Sequence, residues 1–260
     1  MKATGGRAFS PPRKSASAAI ILLLALLAGC NAPRPAPASP AITQPAPATK
    51  PAARSAPKPI FIDVAAINYP ALLPAPAQPG SAFARAEGDI LLGVRSLADD
   101  AAKQRMQRDE HMTLFTFADV LGGGFTAPAY PRTARLFKKI DNDIYAAVVP
   151  AKNSFDRPRP PTQDSRVEPL IPNSGSGSYP SGHATTATVW SRILADLAPE
   201  QKDALRERAR VVCVDRIIAG AHYPSDVAAG VALGEAIADA LLRSDAFLQE
   251  LDAVRAAEWD

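Results

Sequence analysis

Apolar residues recur at helical spacing across residues 60–260, and this periodicity limits the fold more than any other feature of the sequence. No stretch alternates apolar and polar residues as a half-buried β-strand does. Pro131 can open one helix, and Gly182 follows a serine that can cap another. The spacing predicts helices over residues 81–107, 131–149, 182–197, 200–218, 225–242 and 246–257. We therefore expect a single all-α, helical-bundle domain over residues 60–260.

Residues 1–59 have a composition that cannot form such a bundle. Residues 1–30 combine a basic start with an apolar run, which is typical of a secretory signal peptide. The run ends in Leu-Ala-Gly-Cys and resembles the bacterial lipobox, so Cys30 is the expected site of lipid attachment. The alternative is an ordinary signal peptide with an incidental cysteine. Residues 31–59 are rich in Pro and Ala, which predicts an extended spacer that holds the domain off a membrane.

Charge and cysteine content argue against two classes of protein. The formal net charge is only +3 over 260 residues, so nothing indicates nucleic-acid binding. If Cys30 carries lipid, Cys213 remains alone and cannot form a disulfide within the chain. Cys213 lies among valines, and we expect it in the hydrophobic core.

The stretch Gly177–Thr185 is the first candidate site. Pro180 disfavours a helix before it, Ser181 is a good N-cap, and Gly182 leaves the first turn unobstructed. The free N–H groups of that turn, together with the helix dipole, can bind an anion. His183 lies at the edge of this turn and can exchange a proton near neutral pH.

Two further clusters contain basic residues and the remaining candidate histidine. Lys152 and Arg159 are two helical turns apart, although the prolines between and beside them make a continuous helix doubtful. Arg216 is followed by His222 and then by Asp226, which falls in the first turn of a helix. A carboxylate there can accept a hydrogen bond from His222 and select its tautomer.

The three clusters together suit phosphoryl transfer, which needs cationic donors, a nucleophile and an acid for the leaving oxygen. Lys-x6-Arg-Pro, Pro-Ser-Gly-His and Arg-x5-His-x3-Asp resemble the three-part motif of the type 2 phosphatidic acid phosphatase superfamily. Residues 177–183 resemble the pattern of its class A bacterial non-specific acid phosphatases. The resemblance implies a helical fold shared with vanadate haloperoxidases, and an acid phosphatase without metal or cofactor. No cluster of possible ligands has metal-binding spacing.

The resemblance also implies a role for each matching residue. His222 would form a phosphohistidine, Asp226 would orient it, and His183 would protonate the leaving alcohol and then activate water. The phosphate would be held by Lys152, Arg159, Ser181, Gly182 and Arg216. Phosphate monoesters are the expected substrates, and a homodimer is left open. The expected location is the periplasm or cell envelope, with the outer membrane favoured because Asn31 is not the Asp of inner-membrane retention.

Two positions depart from the family pattern, and three other functions compete. Ala184 stands where the class A pattern commonly has Thr, with Thr185 next, and we expect this to have little effect. Asp215 stands where the family usually has Ser; it would weaken phosphate binding unless it points away from the site. The first alternative is a vanadate-dependent haloperoxidase, although such enzymes are usually much larger. A lipid phosphatase is the second, and a non-catalytic envelope lipoprotein is the third.

Overall fold

A computed structural model describes residues 55–172 and 174–260. Helices and turns but no strand occur in these residues, which confirms the all-α prediction. The longer helices are α1 (Ala82–Val94), α2 (Asp100–Glu110), α3 (Pro131–Phe155), α4 (Gly182–Leu197), α5 (Lys202–Ile218), α6 (Pro224–Leu241) and α7 (Asp245–Glu258). Shorter helical segments are Val64–Ala66, Tyr69–Leu72, Arg95–Leu97, Leu114–Phe117, Ala118–Leu121, Pro160–Gln163 and Pro199–Gln201. Cys30, the predicted signal peptide and residues 31–54 of the predicted spacer lie outside the described residues.

The single helix predicted over residues 81–107 is wrong, because this segment forms two helices, α1 and α2. A single 3₁₀ turn, Arg95–Leu97, follows α1, and α2 begins after Asp99. The Asp99 carboxylate accepts a hydrogen bond from the backbone N–H of Ala102 at 2.7 Å and so caps α2. Because an N-cap residue has an extended backbone, the capping bond ends one helix and starts another despite the continuous apolar spacing.

Helix α3 extends further than predicted, through Pro150 to Phe155. A proline in a helix removes one backbone donor, and the burial of Val148 and Ala151 on either side opposes that loss. The helix ends at Asp156, whose φ of 44° is left-handed. Lys152 therefore lies in the last turn of α3, whereas Arg159 lies beyond it in extended backbone, so the two do not share one helix face.

Helix α4 is the centre of the core and packs against both α5 and α6. Two glycines of α6 allow its close approach to α4. A Cβ at Gly230 would lie 2.5 Å from the carbonyl oxygen of Ser181, and one at Gly234 would lie 2.8 Å from that of Thr185. Since successive turns of α6 meet successive turns of α4 in the same order, the two helices are parallel and their N-termini are adjacent.

Four helix ends meet at this point. The short connection between α4 and α5 returns the C-terminus of α5 to the N-terminus of α4. Helix α3 runs antiparallel to α4, because Lys152 near its C-terminus packs beside Gly182 at the start of α4.

Cys213 on α5 is buried, as expected. Within residues 55–172 and 174–260, no helix has both the length and the apolar character needed to cross a bilayer.

Candidate active site

A cavity of about 520 Å³ opens where these helix ends converge. Both candidate histidines and all three candidate cations line it, from four separate parts of the chain. We call this group the cationic end of the cavity; its members are Lys152, Arg159, His183, Arg216 and His222. Gly182 also lines the cavity. The structure therefore brings together most of the residues selected from the sequence.

A tight turn after α5 places His222 beside Arg216. The N–H groups of Ala221 and His222 both donate to the carbonyl oxygen of Arg216, at 3.1 and 3.2 Å. Gly220 enables the turn, since its φ is +73° and an added Cβ would lie 2.8 Å from Arg95 Nη1. The spacing of Arg216 and His222 in the sequence is thus the length of a helix-ending turn.

The His222 ring is only 2% exposed, and its contacts determine its tautomer. Arg159 Nη1 lies 3.2 Å from His222 Nε2, and because a guanidinium only donates, Nε2 is an acceptor that carries a lone pair. Burial lowers the pKa of His222 well below 6.5, and the neighbouring cations lower it further. His222 is therefore neutral, and Nε2 is the ring nitrogen without a hydrogen.

Asp226 lies behind this ring in a charged network. Its Oδ2 is 3.6 Å from His222 Nδ1, which is longer than a hydrogen bond, and no described residue bonds that Nδ1. The Asp226 carboxylate instead accepts from the backbone N–H of Tyr223 at 2.8 Å and from Arg157 Nη1 at 2.6 Å. Arg157 also pairs with the buried Glu87 at 2.7 Å. The direct hydrogen bond expected between His222 and Asp226 is absent at this distance, and the orienting role of Asp226 stays a prediction.

His183 lies in the first turn of α4 and lines the same cavity as His222. Its Nε2 lies 3.0 Å from the carbonyl oxygen of Glu110, at the end of α2. A carbonyl only accepts, so Nε2 carries a hydrogen and Nδ1 is the atom that gains or loses the titrating proton. Burial and the adjacent cations, Arg216 first among them, lower the pKa of His183 to about 4.

Arg216 and Arg159 bring buried positive charge to the cavity. Arg216 is 2% exposed, and among the described residues neither its Nε nor its Nη2 has a hydrogen-bond partner. Burial lowers the pKa of Arg216, and burial together with Arg216 lowers that of Arg159 to about 10. Lys152 Nζ donates to the carbonyl oxygen of Gly177 at 2.7 Å. Such crowding of like charges complements an oxyanion with several oxygens.

Ser181 and Gly182 differ in their position relative to the cavity. The Ser181 hydroxyl is fully buried and accepts from the N–H of Ala184 at 3.4 Å, so it caps α4 as predicted. Ser181 does not line the cavity, whereas Gly182 does. The N-terminus of α4 thus faces the cationic end through Gly182, and a direct contact between Ser181 and phosphate stays a prediction.

Asp215 points away from the cavity, as one reading of the sequence allowed. Arg105 on α2 binds both of its carboxylate oxygens, with Nε–Oδ2 at 2.7 Å and Nη2–Oδ1 at 2.9 Å. Asp215 is 1% exposed, and this pair satisfies it on the far side of α5 from the cavity. The negative charge that the family pattern lacks is therefore balanced by a cation from another helix.

Sequence reasoning missed the residues that support the site from behind. Arg157 is two residues from Arg159, and nothing in the local sequence shows which of them lines the cavity. Glu87 had a usable signal, because it falls on the same face of α1 as the buried Leu91 and is itself 1% exposed. A carboxylate on an apolar face predicts a buried cationic partner.

The geometry can perform three chemical tasks. Cationic donors and a helix N-terminus can bind a tetrahedral oxyanion. A neutral imidazole with its lone pair at Nε2 can attack the central atom, and a second imidazole that lines the same cavity can protonate a leaving oxygen. Within the described part of the chain, no three or more His, Cys, Asp or Glu side chains are grouped so as to hold a metal ion.

Comparison with known proteins agrees with this chemistry. Residues 144–248 match the sequence pattern of the PAP2 superfamily, a range that includes every residue of the cationic end. An acid phosphatase of Zymomonas mobilis subsp. mobilis is 30% identical over 145 residues, which are 54% of each chain. A non-specific acid phosphatase of Salmonella typhimurium is 32% identical over 144 residues, 54% of this chain and 58% of the relative.

A third relative is named for a lipid substrate. A lipid A 1-phosphatase of Rhizobium johnstonii is 41% identical over 66 residues, 25% of this chain and 27% of the relative. The chain spans about half the length of the acid phosphatases that it matches. The chain therefore matches the PAP2 superfamily over residues 144–248, and its relatives include non-specific acid phosphatases.

Proposed function

We propose that the chain is an exported, metal-independent acid phosphatase that hydrolyses phosphate monoesters through a phosphohistidine. The convergence of two imidazoles and three cationic side chains on one cavity carries this proposal. The acid phosphatase homologues support the same reaction. Export and lipid attachment at Cys30 rest on the N-terminal sequence, and the expected result is fatty-acid labelling of the mature chain that Cys30→Ala abolishes.

The first step transfers the phosphoryl group to the protein. His222 Nε2 attacks phosphorus, the ester P–O bond breaks, and the leaving oxygen takes the proton from His183 Nδ1. Arg216, Arg159 and Lys152 neutralise the charge on the phosphoryl oxygens, which is the role that metal ions have in other phosphoryl transfers.

The second step regenerates the enzyme. Neutral His183 removes a proton from water, the resulting oxygen attacks phosphorus, and the bond to His222 Nε2 breaks to release inorganic phosphate. Asp226 is held by Arg157 and the backbone 3.6 Å from His222 Nδ1, where its charge stabilises the positive ring of the phosphohistidine.

Hydrolysis of p-nitrophenyl phosphate by the full chain is the first test. After labelled substrate is quenched in base, the protein should retain label that acid releases, and His222→Ala should abolish both the label and turnover. His111→Ala is the matched control, because the chain has three histidines and the His111 side chain is 90% exposed. Label that persists in His222→Ala would contradict the proposed intermediate.

Vanadate separates this function from the alternatives. Vanadate should inhibit hydrolysis, because it occupies the phosphate position, whereas a haloperoxidase would oxidise bromide with peroxide when vanadate is added. A lipoprotein without catalytic function would hydrolyse no phosphate ester. A lipid phosphatase would prefer a phospholipid in mixed micelles over water-soluble monoesters.

A further inference from the structure

The cavity continues from its cationic end along two antiparallel helices. On α3, Asp141 lies three turns before Lys152, and on α4, Trp190 lies two turns after His183. All four residues line the same cavity. Two helical turns span about 10 Å, so the cavity leads from the acid His183 to a second group of residues at that distance. We call this group the acidic end; its members are Asp141, Tyr145 and Trp190.

The acidic end combines aromatic rings with one carboxylate. Trp190 Nε1 donates to Asp141 Oδ1 at 3.0 Å, which holds the carboxylate at the wall of the cavity. In residues 55–172 and 174–260 no hydrogen bond or ion pair reaches Asp141 Oδ2. Burial raises the pKa of Asp141 to about 6 while the Trp190 bond opposes the rise, so the group is ionised at neutral pH.

A carboxylate oxygen in a cavity needs a donor, and an ionised one only accepts. The wall between the two ends includes Val148 and Thr186, and Met112 lines the same cavity, so the space suits an apolar group. Aromatic faces beside a carboxylate favour a nitrogen cation or an N–H donor over an anion. The phosphate of a substrate and its leaving group would then meet opposite charges at opposite ends of the cavity.

From this placement we propose that Asp141, Trp190 and Tyr145 form a leaving-group subsite for phosphate monoesters whose alcohol carries a cationic or N–H-donating nitrogen about 10 Å from phosphorus. The inference rests on the proposed function, since it assumes that phosphate occupies the cationic end. It assigns the substrate class by chemistry: an apolar spacer with a nitrogen donor at its far end.

Two esters of equal length test the subsite: 6-aminohexyl phosphate and hexyl phosphate. Their dissociation constants are measured calorimetrically at pH 7 on full-length His222→Ala, which cannot turn them over. The amine should bind about tenfold more tightly, the effect of one charge-assisted hydrogen bond. Adding Asp141→Asn, which keeps the volume and an acceptor for Trp190, should bring the two affinities within about twofold. A ratio taken on one preparation is independent of the fraction folded.

Three outcomes separate the subsite from the function. Equal affinities when Asp141 is present, or a preference that survives Asp141→Asn, would overturn the subsite. Failure of both esters to bind would overturn it as well, because the phosphate anchor would be missing. A preference that depends on Asp141, with no hydrolysis of either ester by the unsubstituted chain, would support the subsite and contradict the proposed function.

Discussion

Removing Arg105 should weaken phosphate binding although Arg105 does not line the cavity. Arg105 occupies both oxygens of the buried Asp215, which is adjacent in sequence to Arg216. Arg105→Ala would leave that carboxylate without its cation, and the adjacent Arg216, whose charge acts on Asp215, has buried guanidinium donors that no described residue bonds. Asp215 would then attract Arg216 and reduce the positive charge that Arg216 presents to phosphate.

The size of the effect follows from the contacts. Loss of one charge-assisted hydrogen bond costs about 1.5–3 kcal/mol, so the dissociation constant of inorganic phosphate should rise roughly 10- to 100-fold. Breaking a buried ion pair costs 3–5 kcal/mol of stability in general; the Arg105 side chain is 30% exposed, and we expect about 3 kcal/mol or less.

Calorimetric titration with phosphate measures the affinity, and a double variant tests the cause. Arg105→Ala with Asp215→Ser should recover most of the affinity, because the uncompensated charge is then removed. Lys103→Ala is the control from the same helix: its ion pair with Asp100 is exposed, and the affinity should change less than about twofold. If the double variant binds phosphate as weakly as Arg105→Ala, the charge on Asp215 is not the cause.

Three further predictions concern pH dependence, helix packing and a buried ion pair. The pKa of His183 is lowered to about 4, and a phosphate monoester loses its second proton near pKa 6, so the pH profile of kcat/KM should be bell-shaped with a maximum near pH 5. Below the maximum the substrate dianion is lost, and above it neither His183 nor the substrate supplies the proton for the leaving oxygen. A flat profile from about pH 4 to 9 would contradict proton donation by an imidazole. Gly230→Ala should lower the free energy of unfolding by about 1–3 kcal/mol in thermal or urea unfolding, because the added Cβ would lie 2.5 Å from a carbonyl oxygen. Gly88→Ala is the control: an added Cβ there has no atom within 4 Å and should not destabilise the protein. Glu87→Gln should cost about 3–5 kcal/mol by leaving Arg157 with a partly uncompensated buried charge; a loss under about 1 kcal/mol would show that the ion pair adds little.

The helical class and the cationic end could be predicted because their signals are local. Capping by Ser181 and the turn between Arg216 and His222 depend on a few consecutive residues. The boundaries inside residues 81–107 and at Pro150 were wrong because capping by Asp99 and burial around Pro150 outweighed the simple pattern. Local patterns also could not show that Arg157, and not Arg159, binds Asp226.

The amino-acid sequence alone determined that the chain forms helices and that three of its segments resemble the motifs of the PAP2 superfamily. Only the tertiary structure decided which charges face the cavity and which are neutralised behind it. Arg105 binds Asp215, Glu87 binds Arg157, and the acidic end lies about 10 Å from His183. The physical reason is that a buried charge needs a partner, and here the partners come from helices far apart in the chain, whose packing no local pattern specifies.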